Sequence, residues 1–270
     1  MSNKILTGFR PTGRLHLGHY VSCIKPLITM VERGEISWDD VTFLIADYHA
    51  LIDKPDLNKS VEVYARSKTM EEDLKQVISE RIHITIQTGH LSTNAQNYLW
   101  CMGHVNLGEL LRNHAVKTMK GKQEINMGLL TYPVLMAADC FTYNKVVVGK
   151  DQKQHLELAR DILKRAYPSN PLPEALIFES TVLPGLDGQK MSKSLNNTIP
   201  LVGSIEEIRQ CYNSVLTDSK TVDEPKDPDC LLVKYAKVLD VDFTRYVKGG
   251  VSNKDFKEAL VQQHIKLFGP

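Results

Sequence analysis

The sequence predicts an open, parallel α/β sheet followed by a smaller helical region, and three observations carry that prediction. Short apolar, strand-like runs alternate with longer helix-like stretches. The segments joining them are punctuated by glycine, proline and aspartate. After Asn197 the strand-like runs stop and capped helical patterns take over.

The first strand is expected over Lys4–Thr7. It leads through the turn-rich Arg10-Pro11-Thr12-Gly13 into a helix over Leu17–Glu32. Strands then follow at Val41–Ala46, His83–Gln87 and Val146–Val148, with a last one at Ala175–Phe178. Helices are expected over Ser60–Ile78, Ala95–Val105 and Asp151–Ala166. Near-continuous apolar strands between helices are the pattern of a parallel sheet covered on both faces. Such sheets bind ligands beyond the carboxyl ends of their strands, at the switch point, where the Gly8 to His19 turn is expected to lie. Beyond residue 200, Ser204 followed by Glu207 has the spacing of a capping box opening a helix over Ser204–Val215. Leu231–Val238 and Lys254–Leu267 continue the helical pattern, and Val222–Asp229 reads as a loop.

At 270 residues, 42% hydrophobic and 24% charged, the chain is long enough for one large or two modest domains with a substantial core. Its formal charge of +1 gives no bulk sign of a nucleic-acid partner, so any such surface must be local. The five cysteines, Cys23, Cys101, Cys140, Cys211 and Cys230, are scattered and form no C-x-x-C pair. That argues against a zinc cage or disulfide framework and fits a reducing cytoplasm. No apolar run approaches 18 residues, so no membrane partner is expected.

Two clusters suit a triphosphate. His16-Leu17-Gly18-His19 lies where a strand, a glycine/proline turn and a helix start succeed one another, an arrangement that offers N–H groups and imidazoles to phosphates. Lys190-Met191-Ser192-Lys193-Ser194 sets two lysines three residues apart, in a loop entered through Gly185-Leu186-Asp187-Gly188. Two cationic clusters of this kind can hold charge during transfer at an α-phosphorus. Taken singly, the histidines also read as satisfied turn residues and the lysines as a solvated loop.

Three further segments fall at strand ends or helix starts. In Ala46-Asp47-Tyr48-His49-Ala50 a His-Asp pair follows the second strand, and it reads equally as a structural pair. In Thr131-Tyr132-Pro133-Val134-Leu135-Met136-Ala137-Ala138-Asp139, Pro133 is tolerable in a first helical turn. Tyr132, Met136 and Asp139 then share a helix face, at i, i+4 and i+7. Hydroxyl, thioether and carboxylate on one face suit an aromatic ligand with one N–H donor, and Asp139 reads equally as the polar edge of an amphipathic helix. In Gly149-Lys150-Asp151-Gln152, Gly149 permits close approach of a ligand to the backbone. Asp151 is a natural N-cap, and with Gln152 it could also bind ribose or amino-acid groups.

In this order and spacing the two phosphate clusters resemble the HIGH and KMSKS signatures of class I aminoacyl-tRNA synthetases. With the further segments, and Gly8-Phe9-Arg10-Pro11-Thr12-Gly13, the chain resembles tryptophanyl-tRNA synthetase from residue 4 onward. The resemblance implies a Rossmann-like catalytic domain over residues 1–199 and a short helical, tRNA-facing domain over 200–270. It implies ATP and Mg²⁺, L-tryptophan and tRNA(Trp) as substrates and partners, a homodimer, and a cytoplasmic enzyme. Carried over by position, Asp139 accepts the indole N–H, Met136 packs on the ring and His49 lies beside it, while Tyr132 and Gln152 hold the amino-acid backbone. Gly18, Gly149 and Asp151 contact adenosine. His16, His19, Lys190 and Lys193 serve the phosphates, with Lys117 as a further candidate and Arg10, Met191 and Ser192 completing the nucleotide site.

Met136 separates tryptophan from the sibling tyrosyl enzymes, whose archaeal and eukaryotic forms carry glutamine there. The chain departs from the family pattern at Lys150, where glutamate is usual, and at Leu6, where some relatives carry phenylalanine. Asp227-Pro228-Asp229-Cys230 replaces a Pro-Gly segment, and the helices that normally follow Pro270 are lacking. Those departures leave tryptophan activation as the firmer expectation and tRNA charging as the weaker function. The other readings are a paralogue that activates tryptophan or tyrosine without efficient charging, and a non-catalytic binding module.

Overall fold

Residues 4–52, 57–78, 81–113, 125–150, 152–178 and 183–269 are described in the computed structural model. Five strands, β1 (Ile5–Phe9), β2 (Val41–Ile45), β3 (His83–Ile86), β4 (Lys145–Val147) and β5 (Glu174–Leu176), form one parallel sheet in the order β3-β2-β1-β4-β5. Thr7 of β1 lies opposite Phe43 on one side and Val147 on the other. The strand order therefore reverses at β1, and the chain leaves its carboxyl end through Arg10 toward His16. β1 runs two residues further than its apolar run suggests, because Phe9 is buried and stacks on Phe43 with ring centroids 6.4 Å apart.

The connections are helical. They comprise α1 (Leu17–His19), α2 (Lys25–Glu32), α3 (Asp47–Leu51), α4 (Leu57–Val77), α5 (Leu91–Met102), α6 (Leu107–Arg112), α7 (Met127–Leu130), α8 (Tyr132–Cys140) and α9 (Lys153–Ala166). After β5 come α10 (Ile205–Ser214), α11 (Leu231–Leu239), α12 (Thr244–Val247) and α13 (Asn253–Phe268). None of the described helices is long and apolar enough to cross a membrane.

Packing divides the chain into two compact units. The first comprises Met1–Thr12, Met30–Glu71 and Glu80–Phe178; the second comprises Gly13–Thr29, Glu72–Ser79 and Glu179–Pro270. The first holds the sheet. Its core joins Leu6, Leu44 and Val146 from three adjacent strands to Val134 of α8 and to Leu156 and Ile162 of α9. Burying such apolar area, at about 25 cal/mol per Å², drives the layer together.

The second unit is held by aromatic and polar contacts among its helices. Tyr246 and Phe256 stack at 4.1 Å, and Tyr212 meets Tyr235 edge-on at 6.1 Å. The Lys257 amine donates to the carbonyls of Asn213 and Val215, each at 2.8 Å, and so satisfies the open end of α10. Ser204 caps α10 by accepting from the Glu207 N–H at 3.2 Å. The Glu207 carboxylate pairs with Arg14 at 3.3 Å, so the expected capping box is only half formed.

Two expectations require correction. The helix over Leu17–Glu32 is not continuous: Tyr20–Ile24 forms a π-turn between α1 and α2, with Lys25 N–H donating to the Tyr20 carbonyl. Pro26 is the cause, because it has no N–H for the Ser22 carbonyl and its ring crowds that group. The helix expected from Asp151 is assigned from Lys153, with Gln152 at its cap. Asp151 itself lies outside the described residues.

Candidate functional site

The first unit gathers an acceptor site behind β2, β3 and α8. On α8 the positions that are not fully buried are Tyr132, Met136 and Asp139, while Pro133, Val134, Leu135, Ala137, Ala138 and Cys140 are buried. The stripe that carries hydroxyl, thioether and carboxylate is thus the least buried face of a helix otherwise set in the core. Met136 also packs against the core beneath it.

Asp139 is held from behind. Gln87 Nε2 donates to both of its carboxylate oxygens at 2.8 Å, and His49 Nε2 stands 2.9 Å from Oδ2. The His49 and Asp139 side chains are only 6% and 7% exposed. A carboxylate can only accept, so His49 Nε2 donates to it. His49 Nδ1 and the neighbouring Tyr48 hydroxyl are buried without a hydrogen-bond partner among the described residues. Tyr132 meets the His49 ring edge-on at 4.5 Å and lies 5.0 Å from the His155 ring.

Gln87 is itself fixed. Its Oε1 accepts from Tyr48 N–H at 3.0 Å, and its carbonyl accepts from Asn94 Nδ2 at 2.7 Å. Asp47 holds the same strand ends together by accepting from Thr88 Oγ1 at 2.6 Å and from the N–H groups of Tyr48 and Thr88. Burial pushes the Asp47 carboxyl up from its usual range, and those hydrogen bonds oppose the rise. Gly149 is exposed, and its carbonyl accepts from Gln152 N–H at 3.0 Å, which places Gln152 at the start of α9. Arg10 is exposed just past β1. Lys117, like Asp151, lies outside the described residues.

The second unit gathers the two phosphate clusters. His16 caps α1: its Nδ1 accepts from Gly18 N–H at 3.1 Å, while His16 N–H donates to His19 Nδ1 at 3.2 Å. The rings lie 3.8 Å apart. Burial, with the Lys193 cation adding to it, pulls His16 down to about 4. Burial, then His16 and Lys193, hold His19 well below its usual range. Both imidazoles are therefore neutral at pH 7. With each Nδ1 accepting a backbone proton, each ring carries its own proton on Nε2, giving two fixed neutral donors. A Cβ at Gly18 would lie 2.9 Å from His16 Cε1 and Nδ1, and 3.5 Å from Met191 Sδ, so only glycine fits between the two clusters.

Lys193 donates to the Gly13 carbonyl at 3.1 Å, and Lys190 is exposed. The loop carrying them is a hairpin in which Pro184 bridges Lys190, with Gly188 at φ +80°. It is organised around the buried Asn197. Asn197 Nδ2 donates to Asp187 Oδ1 at 2.8 Å and to the Lys190 carbonyl at 3.2 Å, while its Oδ1 accepts from Ser192 N–H at 2.8 Å.

Three organising residues were not singled out in the sequence: Gln87, Asp187 and Asn197. The signal for Gln87 was its place at the carboxyl end of a parallel strand. Asn197 had only the Asp-Gly turn ten residues before it.

Comparison with known proteins places these features in a family. The description "tRNA synthetases class I (W and Y)" matches residues 1–269. The tryptophan–tRNA ligase of Fusobacterium nucleatum is 33% identical over 289 residues, covering 98% of this chain and 84% of that protein. That of Pseudomonas aeruginosa is 38% identical over 253 residues; the match takes in 85% of this chain and 54% of the longer relative. The structure of tryptophanyl-tRNA synthetase from Campylobacter jejuni complexed with ADP and tryptophan superposes with a TM-score of 0.79 at 33% identity, covering 98% and 86% of the two chains.

Proposed function

This chain belongs to the class I tRNA synthetases of the tryptophan and tyrosine family, and from that premise we propose that it activates L-tryptophan with ATP and transfers it to tRNA(Trp). The tryptophan carboxylate attacks the α-phosphorus; a carboxylate–phosphorus bond forms, the bond to the β-phosphate bridging oxygen breaks, and tryptophanyl-adenylate and pyrophosphate result. The 3′-terminal ribose of tRNA then takes the aminoacyl group and AMP leaves.

The observation that carries the choice of amino acid is the stripe of Tyr132, Met136 and Asp139 on an otherwise buried helix. Asp139, backed by Gln87 and His49, accepts the indole N–H, and Met136 supplies a polarizable contact to the ring. We assign Tyr132 and Gln152 to the amino-acid backbone.

For the nucleotide, Gly18 leaves room where a side chain would collide, and Gly149 and Asp151 are assigned to adenosine. His16 and His19 donate Nε2–H to phosphate oxygens as neutral groups, so positive charge at the phosphates comes from Lys190 and Lys193, with Lys117 and Arg10 in support and Met191 and Ser192 lining the loop. Mg²⁺ enters on the phosphates of ATP as part of the substrate. Catalysis is positioning plus charge stabilisation, with no covalent enzyme intermediate.

We further propose that residues 1–199 form the catalytic part and 200–270 a tRNA-facing helical part, in a cytoplasmic homodimer. Support for self-association is the run of exposed apolar residues on α5 to α7, namely Leu99, Trp100, Met102, Leu107, Leu111 and Met127. Sedimentation at micromolar concentration tests it.

Tryptophan-dependent ATP–pyrophosphate exchange, followed by charging of a tRNA(Trp) transcript, tests the activity. Exchange with tryptophan and not tyrosine is expected. Exchange without charging would make the chain an activating paralogue, and neither reaction would make it a binding module.

A further inference from the structure

The stretch Leu15–Leu17, which carries His16, is held by a backbone strap. Leu17 N–H donates to the Ile199 carbonyl at 3.0 Å and Leu201 N–H donates to the Leu15 carbonyl at 3.0 Å, with His16 bridging Pro200 between them. The strap begins two residues after Asn197, the residue that organises the lysine loop. One three-residue strand therefore joins the histidine turn to the lysine loop.

The strap has an anchor of its own. His264 of α13 is fully buried, and its Nε2 lies 2.9 Å from the Leu201 carbonyl, which can only accept. Nε2 therefore carries the proton. Nδ1, 3.1 Å from the Tyr212 hydroxyl, accepts from it. His264 also meets the Phe268 ring at 5.0 Å, and Phe268 in turn meets Tyr20 edge-on at 4.8 Å in the π-turn that follows His19. The last helix thus touches the histidine segment by two routes, one polar through the strap and one aromatic through Tyr20.

We propose that His264 is a positioning residue for adenylate formation: by holding the Leu201 carbonyl it sets the strap, and through the strap the placement of His16. This rests on the proposed reaction. It assigns to the helical part beyond residue 200 a role in activating the amino acid, separate from any contact with tRNA. A neutral imidazole suits the task, because its two nitrogens act as donor and acceptor at once and hold each other's tautomer. Burial also pulls His264 down to about 4, so the ring stays neutral through the physiological range.

Paired variants test the proposal. His264→Gln keeps an amide donor near the Nε2 position and His264→Asn keeps an acceptor near the Nδ1 position, so each loses one buried hydrogen bond. Amide hydrogen exchange of the segment 13–20 reads the strap directly, and pyrophosphate exchange reads the chemistry. The Asn variant is expected to lose protection at Leu17 and to lower kcat for exchange about tenfold. The Gln variant is expected to keep both within about threefold of wild type, and neither should change the KM for tryptophan. Equal protection of segment 13–20 in the two variants, or equal kcat at equal melting temperature, overturns the proposal. Absence of pyrophosphate exchange in the wild type overturns the proposed reaction instead, and the protection measurement still decides the role of His264 in holding the strap.

Discussion

Gln87 Nε2 sits 2.8 Å from each oxygen of Asp139, so one amide group bridges the whole carboxylate. The carboxylate cannot rotate without breaking one of these bonds, and its direction is set by Gln87, just past the end of β3, rather than by its own helix. A ligand that offers no donor would leave this desolvated acceptor short of a partner. Rejection of phenylalanine is therefore expected to reach roughly 10⁴-fold. Asp139→Ala should abolish that rejection and lower tryptophan-dependent exchange by about 10²-fold or more. Comparable activation of tyrosine and tryptophan by the wild type would contradict the assignment.

The two lysines should separate kinetically. Lys190 is exposed, whereas Lys193 also donates to the Gly13 carbonyl. Alanine at either position is expected to depress kcat for exchange far more than tryptophan affinity, because charge at the phosphates changes on the way to the transition state. Lys193→Ala should in addition lower the melting temperature, and Lys190→Ala should leave it unchanged. A raised Kd for tryptophan with an unchanged rate constant would remove both lysines from the phosphate role.

Acid should destabilise the fold through its buried histidines. Burial lowers His16 and His264 to about 4 from 6.5, so between those values the unfolded chain binds more protons than the folded one. The stability these neutral rings contribute is complete above pH 6.5 and is lost as pH falls toward 4. Each histidine adds at most about 1.4 kcal/mol per pH unit in that window. Urea unfolding at pH 7, 6 and 5 should show the decline, and His264→Gln should make it shallower. A slope unchanged by that replacement would mean that His264 does not resist protonation.

Two glycines should be intolerant for different reasons. A Cβ at Gly185 would lie 2.4 Å from the Asn197 amide, so Gly185→Ala must displace the residue that organises the lysine loop. A loss of about 1–3 kcal/mol in stability is expected, as for other overpacked sites. At Gly18 the collision is with the His16 ring, and Gly18→Ala should lower kcat by up to about 10²-fold through misplacement of that imidazole. Wild-type rates in Gly18→Ala would show that the cap geometry of His16 does not matter to the reaction.

All five strands were legible as short apolar runs between helical stretches, a local record that holds even for the edge strands β3 and β5, which are only partly buried. The face shared by Tyr132, Met136 and Asp139 was legible for a similar reason, since helical spacing is local. What holds these groups was not. Gln87 reaches Asp139 across 52 positions, and His264 reaches Leu201 across 63. No periodicity encodes such pairs, which exist only once the sheet order and the helix packing are set. The break at Tyr20–Ile24 was half legible: Pro26 announces that a helix must yield, but not whether it kinks, stops or widens.

That widened turn has a consequence for tolerance to length change. Each residue added to an α-helix advances its azimuth by about 100°, so an extra residue absorbed in a π-turn re-phases everything on one side of it. His16 and His19 lie before the turn, and Leu27, which is fully buried, lies after it. The chain can therefore point two imidazoles one way and a core leucine another at a sequence spacing that a regular helix would not allow. Removing a residue between Tyr20 and Ile24 would cancel that offset by about 100° and still leave Pro26 without an N–H for the preceding turn. Substitution within Tyr20–Ile24 is a matter of volume, but its length is fixed by angle.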